Sequence, residues 1–190
     1  LSLKDIVFSE SDDINSTKWT QPGLFAVEYA MAKTWIDMGL KPKFVLGHSV
    51  GEYPAAVIAG AMSLNSGLEL IGHRGIAMQG IKKKGSMAAL MCDLDATNEL
   101  IDKNELQIDI AGINSSKQTV VSGDTDAVHL IMNAAKINKI RSRELTVSHA
   151  FHSSHMDEIL DNFHDTAKQY EFYKPTLAKL VSNIDGKVVL

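Results

Sequence analysis

Apolar residues recur at helical spacing in several stretches of the chain, and these stretches predict its helices. The clearest one predicts a helix that begins with Thr20 as its N-cap, carries Pro22 in its first turn and ends at Gly39. Its apolar positions, three or four residues apart, are Leu24, Val27, Met31, Trp35 and Met38. The remaining helices are predicted over 51–61, where small residues favour close packing, over 63–81 with Ser63 as cap, and over 97–101, 124–136 and 156–170.

Short apolar runs between turn residues predict strands over 43–47, 87–92, 107–113, 118–122, 140–147 and 178–183, whereas the polar residues 1–19 predict no element. From 85 to 147 the order of elements is βαββαβ, which is the arrangement of a ferredoxin-like unit. The prediction is an α/β fold with a hydrolase-like strand–helix core, residues 1–84 and 148–190, and a small ferredoxin-like α+β subdomain, residues 85–147. The chain has no initiator Met and ends on an apolar run that resembles an unfinished strand, so we expect a segment of a longer protein.

The composition limits the classes of partner and the cellular compartments that are expected for this chain. The 190 residues carry a net charge of −4 with no long basic run, so we expect neither nucleic acid nor a membrane as a partner. No apolar stretch reaches the roughly 20 residues that span a bilayer. The single cysteine, Cys92, excludes an internal disulfide and suits a reducing compartment, and with no signal peptide this favours the cytoplasm.

The run Gly47-His48-Ser49-Val50-Gly51 matches the G-x-S-x-G pattern of a nucleophile elbow. In an elbow, a sharp turn from a strand into a helix carries the serine at its tip, and the glycines let neighbouring backbone pass. The helix N-terminus and the Val50 N–H are suited to stabilise an oxyanion. The pattern alone is common, but here an apolar run precedes it and a small-residue stretch follows. We therefore predict Ser49 as a catalytic nucleophile rather than part of an ordinary turn.

A serine nucleophile needs a general base, and the chain has seven histidines. The densest group, His149, His152 and His155, follows the last strand predicted for the subdomain. Three histidines at this spacing also suit a metal site, but no nearby carboxylate or cysteine completes a zinc-binding set, so we predict no metal. From the residues alone, each of these histidines is either a base or a solvated loop residue.

Arg74 shares a helical stripe with Gly67, Ile71 and Met78, so its charge lies among apolar neighbours. A buried charge requires a partner, because its removal from water is unfavourable. The partner is either an Asp or Glu of this chain or a substrate carboxylate, which the guanidinium fork would hold bidentately. Serine, histidine and a buried arginine together favour the transfer of an acyl group that bears an acid.

Several motifs resemble those of the acyltransferase domains of type I polyketide synthases, in the expected order from about Thr20 to the C-terminus. They are Thr20-Gln21-Pro22, Val45-Leu-Gly-His-Ser-Val-Gly-Glu-Tyr53, His73-Arg74-Gly75 with Met78-Gln79, Gly85-Ser-Met-Ala-Ala89, Asn114-Ser115 and Val147-Ser-His-Ala-Phe-His-Ser153. Bacterial malonyl-CoA:acyl-carrier-protein transacylases are close relatives and remain an open alternative, although the His-Ala-Phe-His form is more similar to the modular synthases.

The resemblance implies a role for each matching residue. Ser49 would attack the malonyl thioester of coenzyme A, and His152 rather than His149 would be the general base. The substrate-binding residues would be Arg74, which holds the malonyl carboxylate, together with Val50, Phe151 and Gln21.

The resemblance also implies a substrate preference and a set of partners. Phe151 lies where a bulky ring would crowd an α-methyl branch, and Val50 agrees with a malonyl rather than a methylmalonyl substrate. No cofactor would be tightly bound, since coenzyme A is part of the substrate and phosphopantetheine belongs to the partner, an acyl carrier protein. A ketosynthase and other synthase domains would be its neighbours.

The sequence departs from the family's pattern in its N-terminal part. The Gly-Gln-Gly motif that supplies a glutamine to the oxyanion hole does not occur before Thr20, and the group that orients the histidine is expected outside this segment. Two other functions remain open. One is a serine esterase or thioesterase with the same elbow, in which water takes the acyl group, and the other is an inactive docking module of a synthase.

Overall fold

The computed structural model describes residues 2–9 and 12–189 and divides into two compact units. The first unit comprises the residues up to Gln79 and those from Asn162 onward, and the second runs from Gly80 to Asp161. The second unit is wider at both ends than the predicted subdomain, 85–147, because its two ends pack on each other. The Ile81 carbonyl lies 2.9 Å from the His149 ring, and a Cβ on Gly85 would lie 2.7 Å from the Ala150 side chain.

Helices and strands cover much of the described part of the chain. Its helices are α1 (Leu3–Phe8), α2 (Thr17–Asp37), α3 (Glu52–Ala59), α4 (Leu64–Gly80), α5 (Leu94–Lys103), α6 (Thr125–Ile137) and α7 (Asp157–Ala167). Its strands are β1 (Phe44–Leu46), β2 (Ser86–Leu90), β3 (Ile108–Ser115), β4 (Gln118–Gly123), β5 (Ser142–Glu144) and β6 (Lys179–Val181). None of these helices is long and apolar enough to cross a membrane.

The long helix α2 begins one turn earlier than its sequence predicts, and Thr20 is not its cap. The Gln79 side chain, from the end of α4, accepts hydrogen bonds from the Ser16 hydroxyl at 2.8 Å and the Thr17 N–H at 2.9 Å. This distant acceptor satisfies donors of the first turn, which a local pattern does not reveal. As a result Pro22 lies inside the helix rather than in its first turn, whereas the helix ends just before Gly39, as predicted.

Strand β1 is half of a two-stranded parallel sheet with β6, in which Val45 pairs with Leu180. The apolar run 43–47 predicts a buried strand, and this prediction is wrong, because Phe44 and Leu46 are 56% and 62% exposed. Among the described residues only β6 pairs with it, and α3 packs against it. The apolar stripe of α2 is exposed as well, and its members are Leu24, Val27, Met31, Trp35 and Met38.

The second unit contains a four-stranded antiparallel sheet in the order β3-β4-β2-β5. The side chains of β2 alternate between its two faces, so Ala88 and Leu90 pack into the core formed with α5 and α6. On the opposite face, Met87 and Ala89 form a second cluster, and Phe151 packs against it. This cluster fixes the start of the segment that carries His152.

Several element boundaries differ from the sequence prediction. Strand β5 is shorter than the predicted 140–147, because only Ser142–Glu144 pairs with β2. Helix α5 begins at Leu94 rather than 97, since the Asp93 carboxylate accepts from the Ala96 N–H at 2.9 Å. The polar N-terminal region, for which no element is predicted, contains α1, and a capping box of Ser2 and Asp5 holds its first turn.

Candidate active site

Ser49 lies at the tip of a sharp turn between β1 and α3. Its φ of +53° is in the left-handed region, which residues other than glycine rarely adopt. A single 3₁₀ turn, Ser49–Gly51, then leads into the helix. The backbone strain at Ser49 is therefore the strain expected of a nucleophile elbow.

The two glycines of the motif have different surroundings. A Cβ on Gly47 would fall on backbone atoms of Gly51 and Glu52, so only glycine fits there. A Cβ on Gly51 would lie 3.4 Å from the Glu28 carboxylate, an ordinary contact, and Gly51 has a helical φ of −61°. The expectation that both glycines let backbone pass is therefore met at Gly47 and not at Gly51.

Arg74, from α4, reaches the elbow serine and the first turns of α2. Its Nη2 lies 3.4 Å from the Ser49 hydroxyl oxygen, and its Nη1 donates to the Gln21 amide oxygen at 2.5 Å. The Tyr53 ring, one helical turn after Ser49, lies under the guanidinium with its centroid 5.9 Å from Cζ. Helices α2, α3 and α4 thus hold the charge beside the predicted nucleophile.

No carboxylate within the described ranges lies close enough to Arg74 to form an ion pair, although the Glu52 carboxylate is near enough to favour its charged form. Burial lowers the pKa of Arg74, because the charged form is less well solvated. Burial also raises the pKa of the Tyr53 hydroxyl, which keeps that ring neutral beside the cation. The guanidinium has five N–H donors, and the two neutral contacts leave most of them available.

Gln21 and Val50 lie on either side of this arrangement. Gln21 is 3% exposed, and both ends of its amide are engaged, the oxygen by Arg74 and the nitrogen by the Met78 sulfur at 3.2 Å. Val50 is half-buried and lines a cavity of about 790 Å³ with Ser49, Glu28 and residues of β1 and α3. Tyr53 and Glu28 are not among the site residues predicted from the sequence, although Tyr53 lies inside the motif run.

The second unit contains the histidine segment. His152 has a φ of +58° and an exposed side chain, whereas His149 is fully buried. The His149 Nε2 lies 2.9 Å from the Ile81 carbonyl oxygen, which can only accept, and its Nδ1 lies 2.8 Å from the Ser148 hydroxyl. The Lys84 ammonium, which can only donate, also lies 3.2 Å from Nε2, so Ile81 and Lys84 favour opposite tautomers of His149. Both ring nitrogens of His149 are engaged, so it is not placed to act as a base.

The other two predicted residues of this segment are also held by the second unit. The Phe151 ring packs on the Met87 cluster and lies 5.8 Å from the His149 ring, at an interplanar angle of 43°. The His155 Nε2 lies 3.2 Å from an Asp124 carboxylate oxygen. Within residues 2–9 and 12–189, no group of three or more His, Cys, Asp or Glu side chains is arranged to hold a metal ion.

Comparison with known proteins connects this geometry to a family. Residues 1–187 match the family model of the acyl transferase domain. The mycoketide-CoA synthase of Mycobacterium tuberculosis (strain ATCC 25618 / H37Rv) is 34% identical over 187 residues, which are 98% of this chain and 4% of that protein.

Two solved structures are similar as well. The crystal structure of the acyltransferase domain from the second module of the salinomycin polyketide synthase has a TM-score of 0.93 at 33% identity, over 99% of this chain and 45% of that one. A malonyl-transacylase in complex with a type II polyketide-synthase acyl-carrier protein has a TM-score of 0.90 at 28% identity, over 98% of this chain and 63% of that one. The chain thus spans less than two thirds of each of these proteins. Since the family model matches nearly the whole chain and the elbow has the predicted geometry, the chain belongs to the acyl transferase domain family.

Proposed function

We propose that this domain transfers a malonyl group from coenzyme A to the phosphopantetheine thiol of an acyl carrier protein, through an acyl-serine intermediate. Family membership supports acyl transfer, and the contacts of Arg74 support an acyl group with a carboxylate. The related malonyl-transacylase that was solved with an acyl-carrier protein supports this kind of acceptor.

In the first half-reaction, His152 takes the proton of the Ser49 hydroxyl as the oxygen attacks the thioester carbonyl. The Val50 N–H, at the start of the turn into α3, donates to the oxyanion that forms. The carbon–sulfur bond then breaks, and His152 returns its proton to the departing coenzyme A thiol. The exposed side chain of His152 suits this exchange, whereas the engaged ring of His149 does not.

In the second half-reaction, His152 takes the proton of the phosphopantetheine thiol, whose sulfur attacks the acyl-serine carbonyl. The ester bond to the Ser49 oxygen breaks, and His152 gives the proton back to Ser49. The coenzyme A thiol leaves before the carrier-protein thiol binds, so the scheme is ping-pong.

The position of Arg74 is the observation that supports the proposal most strongly. It is a half-buried cation beside the Ser49 hydroxyl, and its described hydrogen bonds go to neutral groups. A malonyl carboxylate would take up its remaining donors bidentately and restore charge balance. Gln21, which is buried behind the guanidinium, acts in this proposal by orienting Arg74 rather than by touching the substrate.

Phe151 and Val50 set the preference for malonyl over a methyl-branched acyl group. The ring of Phe151 packs on the sheet of the second unit, and a bulky ring beside the acyl group would crowd an α-methyl branch. Discrimination by shape is about 1–3 kcal/mol for a difference of one methyl group.

We extend the proposal to the type of fold, the neighbouring domains, the location in the cell and the cofactor. The strand–helix core would be hydrolase-like, and the βαββαβ order with its β3-β4-β2-β5 sheet supports a ferredoxin-like subdomain. Neighbouring ketosynthase and other synthase domains, a cytoplasmic location and the absence of a tightly bound cofactor complete the setting we propose.

The proposal predicts the acyl preference of an Arg74→Ala variant. We expect its rate of Ser49 acylation by malonyl-CoA to fall about 30-fold or more, since loss of one partner of a buried charge pair costs at least about 2 kcal/mol. Acylation by acetyl-CoA, which has no carboxylate, is expected to persist. Intact-protein mass spectrometry of the full-length protein after rapid mixing with each thioester measures both rates.

Each alternative has its own outcome in this experiment. Undiminished malonyl transfer in Arg74→Ala removes the carboxylate role. A malonyl adduct on wild-type Ser49 that water releases as fast as a carrier protein accepts it favours the esterase. No adduct on wild-type Ser49 favours an inactive docking module.

A further inference from the structure

The segment that carries His152 is held in an unfavourable backbone conformation. His152 has a φ of +58°, in the left-handed region that a residue with a side chain seldom adopts. Such a conformation persists only where the surrounding structure fixes it. The contacts that fix it therefore also determine where the imidazole lies.

The segment is fastened on both sides of His152. Before it, the His149 ring binds the Ile81 carbonyl. Directly after it, the Ser153 hydroxyl closes the turn by donating to the Ala150 carbonyl at 2.6 Å. These contacts hold the segment to its own backbone and to the residues before β2, but they do not connect it to the far edge of the sheet.

Asp109, on the edge strand β3, supplies that connection. One of its carboxylate oxygens, Oδ2, accepts from both the Ser154 N–H at 2.8 Å and the Ser154 hydroxyl at 3.0 Å. The two residues are 45 positions apart in the chain, so the contact depends on the fold. A carboxylate that accepts two hydrogen bonds forms a charge-assisted contact with a defined direction.

The register of the sheet adds a second carboxylate at the same end. Asp109 lies opposite Ser122 in the β3–β4 pair, and Asp124 follows the end of β4. The Asp124 carboxylate binds His155, which is 7% exposed. Two consecutive residues after the His152 turn, Ser154 and His155, are thus each bound by a carboxylate from β3 or from the end of β4.

We propose that Asp109 is a positioning residue for His152, which it holds in place through its two hydrogen bonds to Ser154. This inference rests on the proposed role of His152 as the general base. Asp109 touches neither nucleophile nor substrate in this proposal. Its carboxylate fixes the backbone two residues after the imidazole, and a base that is displaced by a fraction of an ångström transfers its proton more slowly.

The test compares Asp109→Ala with Asp109→Asn in the full-length protein. The alanine variant loses both hydrogen bonds, and we expect Ser49 acylation at saturating malonyl-CoA to slow by about tenfold or more. The half-saturating concentration is expected to stay within about twofold, because the residues that bind the substrate carboxylate are unchanged. The asparagine variant keeps an acceptor oxygen and is expected to restore the rate to within about threefold.

Two further variants act as controls. Ser154→Ala removes only the hydroxyl donor and leaves β3 untouched, so we expect a smaller loss of rate in the same direction. Asp102→Ala removes an exposed carboxylate at the end of α5 in the same unit and is expected to acylate like the wild type. Hydrogen exchange of residues 150–156 reports on the contact without any reaction, and we expect it to quicken in Asp109→Ala.

The outcomes separate this proposal from the proposed function. Wild-type rates in Asp109→Ala, equal losses in Asp109→Ala and Asp109→Asn, or a higher half-saturating concentration as the main effect would each overturn the positioning role. If the wild-type protein forms no malonyl adduct, the proposed function fails, and hydrogen exchange then decides: unchanged exchange in Asp109→Ala rejects the contact itself.

Discussion

At the scale of single residues, the elbow depends most on Gly47. A Cβ at this position would coincide with the backbone at the start of α3, so alanine forces the turn to open. We expect Gly47→Ala to lower the free energy of unfolding by about 1–3 kcal/mol, the usual effect of an extra methyl in packed space. We also expect it to abolish acylation of Ser49, since the serine would lose its strained φ of +53°.

Gly51→Ala is the matched control for this change. Gly51 already has a helical φ of −61°, and a Cβ there makes only an ordinary contact with Glu28. Urea unfolding and the acylation rate of both variants measure the difference. Equal destabilisation by the two changes would show that the motif's glycines serve the helix in general rather than the elbow.

Some features of the candidate site can be predicted from the sequence, and others cannot, because they depend on contacts between distant parts of the chain. The roles of Ser49 and Gly47 are predictable because the elbow is a local structure, and the five consecutive residues of its motif are enough to identify it. The Arg74–Gln21 contact joins positions 53 apart and depends on the packing of α2 against α4, so no local pattern shows it. The placement of Gln21 behind the guanidinium could therefore not be predicted.

At the scale of secondary-structure elements, we expect the stability of the junction between β4 and α6 to depend on pH through Asp124. Its hydrogen bond with Lys83, and to a smaller extent the neighbouring His155, holds the pKa of this carboxyl below its ordinary value. The folded form therefore binds fewer protons here than the unfolded chain. The stabilising effect is complete above the ordinary value of about 4 and is lost as pH falls through the lowered pKa.

A Lys83→Ala variant tests whether Lys83 lowers the pKa of Asp124. We expect the variant to raise the pKa of Asp124 toward its ordinary value, as measured by the ¹³C chemical shift of the carboxyl carbon during an acid titration. Lys82→Ala is the control, because Lys82 forms no ion pair with a described carboxylate. An Asp124 titration that is the same in wild type and Lys83→Ala would contradict the assigned cause.

The elements themselves were predictable to the extent that their ends are local. Helix α4 begins after Ser63, as predicted, because the Ser63 hydroxyl accepts from the Ser66 N–H three residues later. The start of α2 cannot be predicted from a local cap, since the acceptor for its first turn, Gln79, comes from the end of α4. Strand β5 was predicted too long because an apolar run does not show where pairing with β2 stops.

At the scale of the whole molecule, the alternation of apolar and polar positions does not determine which apolar faces are covered. The stripe on α2 has the spacing of a core-facing helix, yet its members are 45–74% exposed. The first unit also joins chain segments that are separated by the whole second unit. A pattern that is read along the chain identifies an apolar face but not the segment that covers it.

This exposed face predicts how the 190-residue chain behaves when it is produced alone. Exposed side chains of α2 and β1 form an apolar surface, which we define by Leu24, Val27, Met31, Trp35, Phe44 and Leu46. Large apolar patches favour association, because burial removes them from water. We expect concentration-dependent self-association in sedimentation velocity. The double variant Met31→Lys with Trp35→Lys is expected to raise the dissociation constant at least about tenfold, since full burial of one such side chain contributes about 1.5–3 kcal/mol.

Leu130→Lys is the control for this measurement. Leu130 is also a half-exposed leucine, at 56%, but it lies on α6 in the second unit and outside the defined surface. If association depends on this surface, the control behaves like the wild type while the double variant dissociates. If all three proteins associate equally, the contact lies elsewhere. A monomeric wild-type chain at every concentration would mean that these exposed side chains do not drive association, even though their spacing is that of a buried face.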